Sequence, residues 1–146
     1  MNKLTEFLLE GNIVEAVILA GKMDEETLCS DLVEFAFENE ENVIWYTLLN
    51  ELLLSYNTPI FHYVAAEVFS IALNHNSGSY DIALFHNRKA AELSQYKDVK
   101  YLVPFILLNE LPEKIVSDAE AKKIAEMILK IDENQSEAKN FLKRYK

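Results

Sequence analysis

Glycine and proline are scarce in this chain, with only three of each among 146 residues. β-Sandwiches and barrels need both residue types at their many tight turns. Dinucleotide-binding folds need a G-x-G-x-x-G fingerprint, which this sequence does not contain. Hydrophobic residues make up 50% of the chain, which is enough for the core of one domain of this length. We therefore expect an all-α fold.

Disulfides and membrane spans are excluded on similar grounds. Cys29 is the only cysteine, so no internal disulfide can form. It lies between Leu28 and Leu32 in a helical pattern, and we expect it to be a small core residue. No apolar run is long enough to cross a bilayer, and the first residues do not resemble a signal peptide. We therefore expect a cytoplasmic protein with no membrane partner.

Motifs for catalysis, metals and cofactors are also missing. Gly21-Lys22-Met23 departs from a phosphate-binding loop, because Met23 stands where Ser or Thr would hold magnesium. The three histidines are 13 and 11 residues apart, so no two share a helix face, and we expect them to be single surface or groove residues. We predict no cofactor, no metal and no catalytic residue. The remaining alternative is an enzyme whose active site is formed by residues that are distant in the sequence and come together only in the fold.

Basic residues are nearly absent from the first third of the chain. Residues 1–51 contain twelve acidic and two basic side chains, whereas residues 80–146 contain eleven acidic and twelve basic ones. The net charge of -10 therefore originates in the first third. A nucleic-acid binder needs a basic surface, so we expect no nucleic-acid partner. An acidic surface attracts basic proteins, although solvated charge without a partner is the alternative.

Apolar residues recur every three to four positions and predict about nine helices. The polar breaks between them are short, which favours a bundle of neighbouring helices. The expected helices cover residues 2–9, 12–20 with Asn12 as the cap, 24–38, 42–54, 58–74 with Thr58 as the cap, 80–93, 98–110, 117–131 and 135–145.

A weak repeat is present in the second half of the chain. Ala83, Ala90, Leu93 and Ser94 correspond, 38 residues later, to Ala121, Ile128, Ile131 and Asp132. A spacing of this size is typical of stacked helical hairpins. Over about residues 64–146 the chain resembles the tetratricopeptide-repeat (TPR) family, on the segments Gly78-Ser79-Tyr80-Asp81-Ile82-Ala83, Ala90-Ala91-Glu92-Leu93-Ser94 and Ile128-Leu129-Lys130-Ile131-Asp132.

The resemblance implies antiparallel helical hairpins stacked as a short, right-handed, TPR-like solenoid. It implies a single domain over residues 1–146, with irregular acidic helices in 1–57 and TPR-like hairpins in 58–146. Pro104 departs from the family pattern, because it falls within a first helix. First helices of the family line a concave surface that binds peptides or protein segments. Carried over by position, this groove includes Val68, Ala72, His75, Leu102, Ile106 and Asn109; the alternative is that these residues pack inside a closed bundle.

A second candidate surface is acidic. Asp31, Glu34, Glu38 and Glu41 are spaced by 3, 4 and 3 residues, which places them on one helix face. Like charges at these spacings do not stabilise a helix, so the stripe either attracts a basic partner or is simply solvated.

Together these patterns predict a non-catalytic protein–protein interaction module that binds a protein or peptide through the groove or the acidic face. The chain also resembles, in general character, small acidic bacterial immunity proteins. That resemblance implies the alternative function of neutralising a basic toxin, such as a nuclease, by blocking its active site. The helix over 42–54 is apolar almost all round, which leaves a homodimer open.

Overall fold

The structure, a computed structural model, describes residues 1–145. Over these residues the chain forms nine α-helices and one 3₁₀ helix, with no strand, so the all-α prediction is confirmed. None of the helices in this range is long and apolar enough to cross a membrane. The helices are α1 (Lys3–Leu9), α2 (Ile13–Ala20), α3 (Glu25–Glu38), α4 (Ile44–Ser55), α5 (Pro59–Ile71), α6 (Ser79–Leu93), the 3₁₀ helix (Val99–Tyr101), α7 (Val103–Glu110), α8 (Asp118–Ile131) and α9 (Ser136–Arg144).

Several helix starts follow from local side-chain chemistry. Asn2, Asp24 and Ser117 each precede a helix and accept a hydrogen bond from the backbone N–H three residues later. Asn12 and Thr58 occupy the cap positions predicted for them, but their side chains make no cap hydrogen bond. The sequence therefore located these two helix starts correctly, but the side-chain cap hydrogen bonds expected from Asn12 and Thr58 do not form.

Proline and glycine interrupt the helices where the backbone requires it. A helix is expected within 98–110, either kinked at Pro104 or starting near it, and the structure has the second form. A 3₁₀ helix precedes α7, which begins at Val103 because Pro104 fits only the first turn of a helix. The loop between α5 and α6 ends at Gly78, whose φ of +86° is unfavourable for residues with a Cβ atom. These two residues set where α6 and α7 begin.

The buried apolar side chains form two clusters. The first joins α1 to α5 and includes Trp45, Leu48, Leu49 and Leu52 of α4. The second joins the end of α6 to the 3₁₀ helix, α7, α8 and α9. The clusters meet at α5 and α6.

Small side chains link the two clusters through the α5–α6 pair. Ala65 and Ala66 of α5 and Ala83 and Ala90 of α6 are fully buried, and the two helices pack against each other along their length. Helix α1 also packs against α2, α7 against α8, and α8 against α9. Helix α3 packs against α5, although α4 lies between them in the sequence.

Candidate functional site

A depression of about 810 Å³ lies between α3, α5 and the 3₁₀ helix. Its apolar surface includes Val33, Phe37 and Ile71, and its α3 side also presents acidic side chains. A second depression of about 260 Å³ lies between α5, α6 and α7. Because Ile71 lines both, we treat them together as one groove.

The groove exposes large apolar side chains from all three helices that border it. Phe37 of α3, Ile71 of α5 and Leu107 of α7 are 53%, 44% and 49% exposed. Single exposed apolar residues are ordinary, but contiguous ones in a concave surface mark binding sites. The groove therefore combines a concave shape with exposed apolar side chains.

Acidic residues form much of the α3 side. Glu25, Glu26, Glu34 and Glu38 all line the larger depression. The basic residue among its lining side chains is Lys100, whose Nζ lies 2.5 Å from Oε2 of Glu25. The positive charge of Lys100 is thus already opposed, and the lining retains an excess of negative charge.

The polar groups near Lys100 are partly removed from water. Burial, together with the nearby carboxylates of Glu67 and Glu25, raises the pKa of the Cys29 thiol to about 11. Burial likewise raises the pKa values of Tyr63 and of Tyr101, the latter to about 12. All three groups are therefore neutral near pH 7, and a neutral thiol is a poor nucleophile. Cys29 is half-buried: it packs against the first apolar cluster, near the core position predicted for it, and it also lines the groove.

The smaller depression is lined by polar as well as apolar side chains, including the hydroxyl residues Ser70 and Tyr80. Glu67 of α5 and Asn87 of α6 both line it, among apolar side chains of α7. Burial raises the pKa of Glu67, and Lys100 opposes that shift in part. Asn87 is 3% exposed, and its Oδ1 has no hydrogen-bond partner within residues 1–145. Neither residue was identified from the sequence.

The fold brings two of the three histidines together, contrary to the prediction of single surface or groove histidines. His62 of α5 and His86 of α6 face each other with their Nδ1 atoms 2.9 Å apart. The hydroxyl of Tyr46 lies 2.7 Å from Nε2 of His86. Burial lowers the pKa of His86 to about 4, and it also lowers that of His62. His75, in contrast, is exposed, with its Nε2 3.4 Å from Glu40.

This histidine cluster has the chemistry of a structural hydrogen-bond chain. Each imidazole holds one proton when neutral, so one ring can donate to the other while Tyr46 completes the chain. Two imidazoles and a phenol do not form a typical metal site, and no group of three or more His, Cys, Asp or Glu side chains able to hold a metal ion occurs in the part of the chain described.

Five of the six residues predicted for the groove are buried instead. Val68, Ala72, Leu102, Ile106 and Asn109 are each no more than 2% exposed, so the prediction that they line an open surface is wrong. They pack inside the helical core, which is the alternative that the sequence left open. Asn109 has a structural role, because its amide donates to the backbone oxygen of Val116 and to Asp118. Among the six, His75 alone is exposed.

The acidic stripe is only partly a helix face. α3 ends at Glu38, so Glu41 lies in the following loop rather than on the helix. Glu34 and Glu38 are exposed and line the groove, while Asp31 is partly buried with a pKa raised by that burial and by Glu34. Glu38 and Glu41 also line an open acidic depression of about 820 Å³ before α4. The stripe and the groove are therefore neighbouring parts of one surface.

Comparisons with known proteins supply no family or fold neighbour. No family model, curated protein or solved structure matches the chain.

Proposed function

We propose that the protein is a non-catalytic interaction module, which binds a basic and apolar segment of a partner protein in the groove between α3, α5 and α7. The observation behind this proposal is the row of Phe37, Ile71 and Leu107, which the three helices expose in one concave surface. Burial of such side chains against a partner favours binding by about 25 cal/mol per Å² of apolar area.

Charge complementarity defines the chemistry of the partner. Glu34 and Glu38 line the groove on α3, and the one lysine on its lining, Lys100, is already paired with Glu25. A basic segment would meet an acidic wall, which speeds its approach and selects against acidic competitors. The alternation of apolar floor and acidic wall fits a peptide with both apolar and basic side chains.

The TPR-like arrangement is part of the same proposal. In this view α5–α6 and α7–α8 are antiparallel hairpins stacked in a right-handed solenoid, with α3, α5 and α7 on its inner side. Packing within each of these pairs supports it, as does the position of α3, α5 and α7 along one groove. The inner faces differ from those expected by one residue along α5, with Glu67 and Ile71 in place of Val68 and Ala72.

The experiment selects peptides from a random display library on the immobilised full chain and measures their affinity in solution. Leu107→Arg is expected to weaken a selected peptide by about tenfold or more, because it places a charge on the apolar floor. Leu54→Arg is the matched control, since Leu54 is 84% exposed and lies outside the groove. Equal binding by the wild type and both variants would show that the groove is not the binding surface.

Neutralisation of a basic toxin is the second candidate. The acidic depression lined by Glu38, Glu40 and Glu41 continues beyond the groove and favours a wider basic surface over a peptide. If the neighbouring gene encodes a toxin, co-expression of this chain should protect cells, and Glu34→Lys with Glu38→Lys should abolish that protection. Protection that is insensitive to both changes would reject the electrostatic mechanism.

A further inference from the structure

The smaller depression of the groove contains an unpaired polar atom that the fold does not explain. Asn87 is 3% exposed, yet its Oδ1 has no hydrogen-bond partner among the residues described. In proteins, the large majority of buried side-chain oxygens have a hydrogen-bond partner, either a protein group or a water molecule. Because Asn87 lines the depression, a ligand or water that enters it is the available partner.

A carboxylate borders the same space. Glu67 is partly buried beside Asn87 in the lining and forms no ion pair within residues 1–145. The basic residue that lowers the pKa of Glu67 is Lys100, and Lys100 is itself paired with Glu25. Glu67 therefore differs from the exposed acids of α3, because water solvates it less and no cation neutralises it.

We propose that this depression binds an ammonium or guanidinium group, the end of a lysine or arginine side chain of the partner. Both Asn87 Oδ1 and the Glu67 carboxylate accept hydrogen bonds, so their complement is a cation with several N–H donors. A neutral donor would satisfy Asn87 alone and leave the carboxylate without a counter-charge.

The remaining lining fits the rest of such a side chain. Pro104, Leu107 and Leu108 of α7 supply an apolar wall for an aliphatic stem, and Tyr80 of α6 supplies an aromatic ring. A volume of about 260 Å³ suits one long side chain rather than a folded segment. The source of the cation, a partner protein, rests on the proposed function, whereas the cation site itself does not.

Small cations test the site directly. We suggest titrating the ¹⁵N-labelled full chain with n-butylguanidinium and n-butylammonium, with n-butanol as the neutral probe, and following the side-chain amide signals of Asn87. Both cations should give saturable shifts, and n-butanol should give none. Shifts of equal size with all three probes, or no saturable shift with either cation, would overturn the proposal.

Variants separate charge recognition from general binding. Glu67→Gln keeps the shape of the side chain but removes its charge, and should weaken n-butylguanidinium by about tenfold. Glu51→Gln, which changes an exposed acid on α4 outside the groove, should leave the affinity unchanged. Asn87→Leu should also weaken binding, and circular dichroism confirms that each variant folds. Equal affinity in wild type and Glu67→Gln would contradict the proposed site.

The two proposals fail in different ways. If selected peptides bind in a manner sensitive to Leu107→Arg, but replacing their lysines by norleucine and their arginines by citrulline has no effect, the cation site is wrong and the groove stands. If n-butylguanidinium binds through Glu67 but no peptide does, the cation site stands and the partner proposal fails.

Discussion

His86 and Asn87 are consecutive residues of α6 and are almost equally buried, at 2% and 3% exposed. They differ in whether their polar atoms have hydrogen-bond partners. His86 uses both ring nitrogens, one with Tyr46 and one with His62. Asn87 lines the groove with its Oδ1 unpaired in the described chain. Burial alone therefore does not distinguish these two residues, but their hydrogen-bond partners do.

The difference arises from what faces each side of α6. On the α4 and α5 side, Tyr46 and His62 supply groups that can donate or accept, so the cluster closes on itself. On the α7 side, Asn87 shares the depression with Glu67, with the hydroxyl residues Ser70 and Tyr80, and with apolar residues of α7. None of these side chains donates a hydrogen bond to Asn87 Oδ1 in the described chain, so this oxygen is left for a donor that enters the depression.

The largest effect is expected for His86→Leu. This change leaves the Tyr46 hydroxyl and the His62 ring without their partner. An unsatisfied group costs about 1–3 kcal/mol when fully buried, and less at these two partly exposed side chains. We expect the free energy of unfolding to fall by about 2 kcal/mol, measured by urea denaturation. An unchanged free energy would show that the histidine cluster does not stabilise the fold.

Acid pH should disrupt the same cluster. The pKa of His86 is about 4 in the folded chain, against about 6.5 when unfolded. Between these values the unfolded chain binds a proton that the folded chain does not, so stability is present above pH 6.5 and is lost as pH falls towards 4. We expect a loss of about 2 kcal/mol, reduced by solvent screening of the half-buried pair.

Urea denaturation across this pH range provides the measurement. The slope of the unfolding free energy against pH should be smaller in His86→Leu than in the wild type, because the variant lacks the imidazole that titrates in this range. Carboxyls with lowered pKa values, such as Glu120 and Asp118, lose their contribution only at lower pH, below about 4.5. A wild-type slope that persists in His86→Leu would assign the pH dependence to other groups.

Asn87→Leu should have a smaller effect of the opposite sign. It removes an unpaired buried oxygen and keeps a similar volume, so we expect the unfolding free energy to rise by about 1 kcal/mol. Asn109→Leu is the matched control. Asn109 is equally buried and its Oδ1 is likewise unpaired in the described chain, but its amide nitrogen donates to Val116 and Asp118, and the change to leucine removes both hydrogen bonds. Asn109→Leu should therefore lower stability. Destabilisation by both changes would mean that Asn87 is structurally satisfied.

The sequence was informative about helices and less so about which face of each helix is open. Apolar periodicity and the capping residues located all nine helices to within a few residues. On α5, however, the positions carried over from the TPR resemblance predict Val68 and Ala72, whereas Glu67 and Ile71 line the groove. A shift of one residue turns a helix by about 100°, and only tertiary packing fixes that rotation.

Contacts between distant segments were beyond the sequence for the same reason. His62 and His86 are 24 residues apart and lie on different helices, and neither forms a spacing motif with the other. Their contact depends on the close approach of α5 and α6, which small residues such as Ala65 and Ala83 permit. The repeat of small residues signalled that helices pair, but not which polar side chains meet between them.

Arg88, the next residue of α6, should give the smallest effect. Its guanidinium binds the Glu120 carboxylate of α8 through two contacts, one of them 3.0 Å long between Nη2 and Oε2, but both side chains are partly exposed. Such pairs contribute about 0.5 kcal/mol, and less at high salt. Arg88→Met retains an apolar stem beside Phe105 and should cost about 0.5 kcal/mol at low salt, with almost no cost in about 1 M NaCl. A larger loss of unfolding free energy that persists at high salt would show that the fold depends on Arg88, as it does on His86, and that this ion pair is not simply a solvated surface contact.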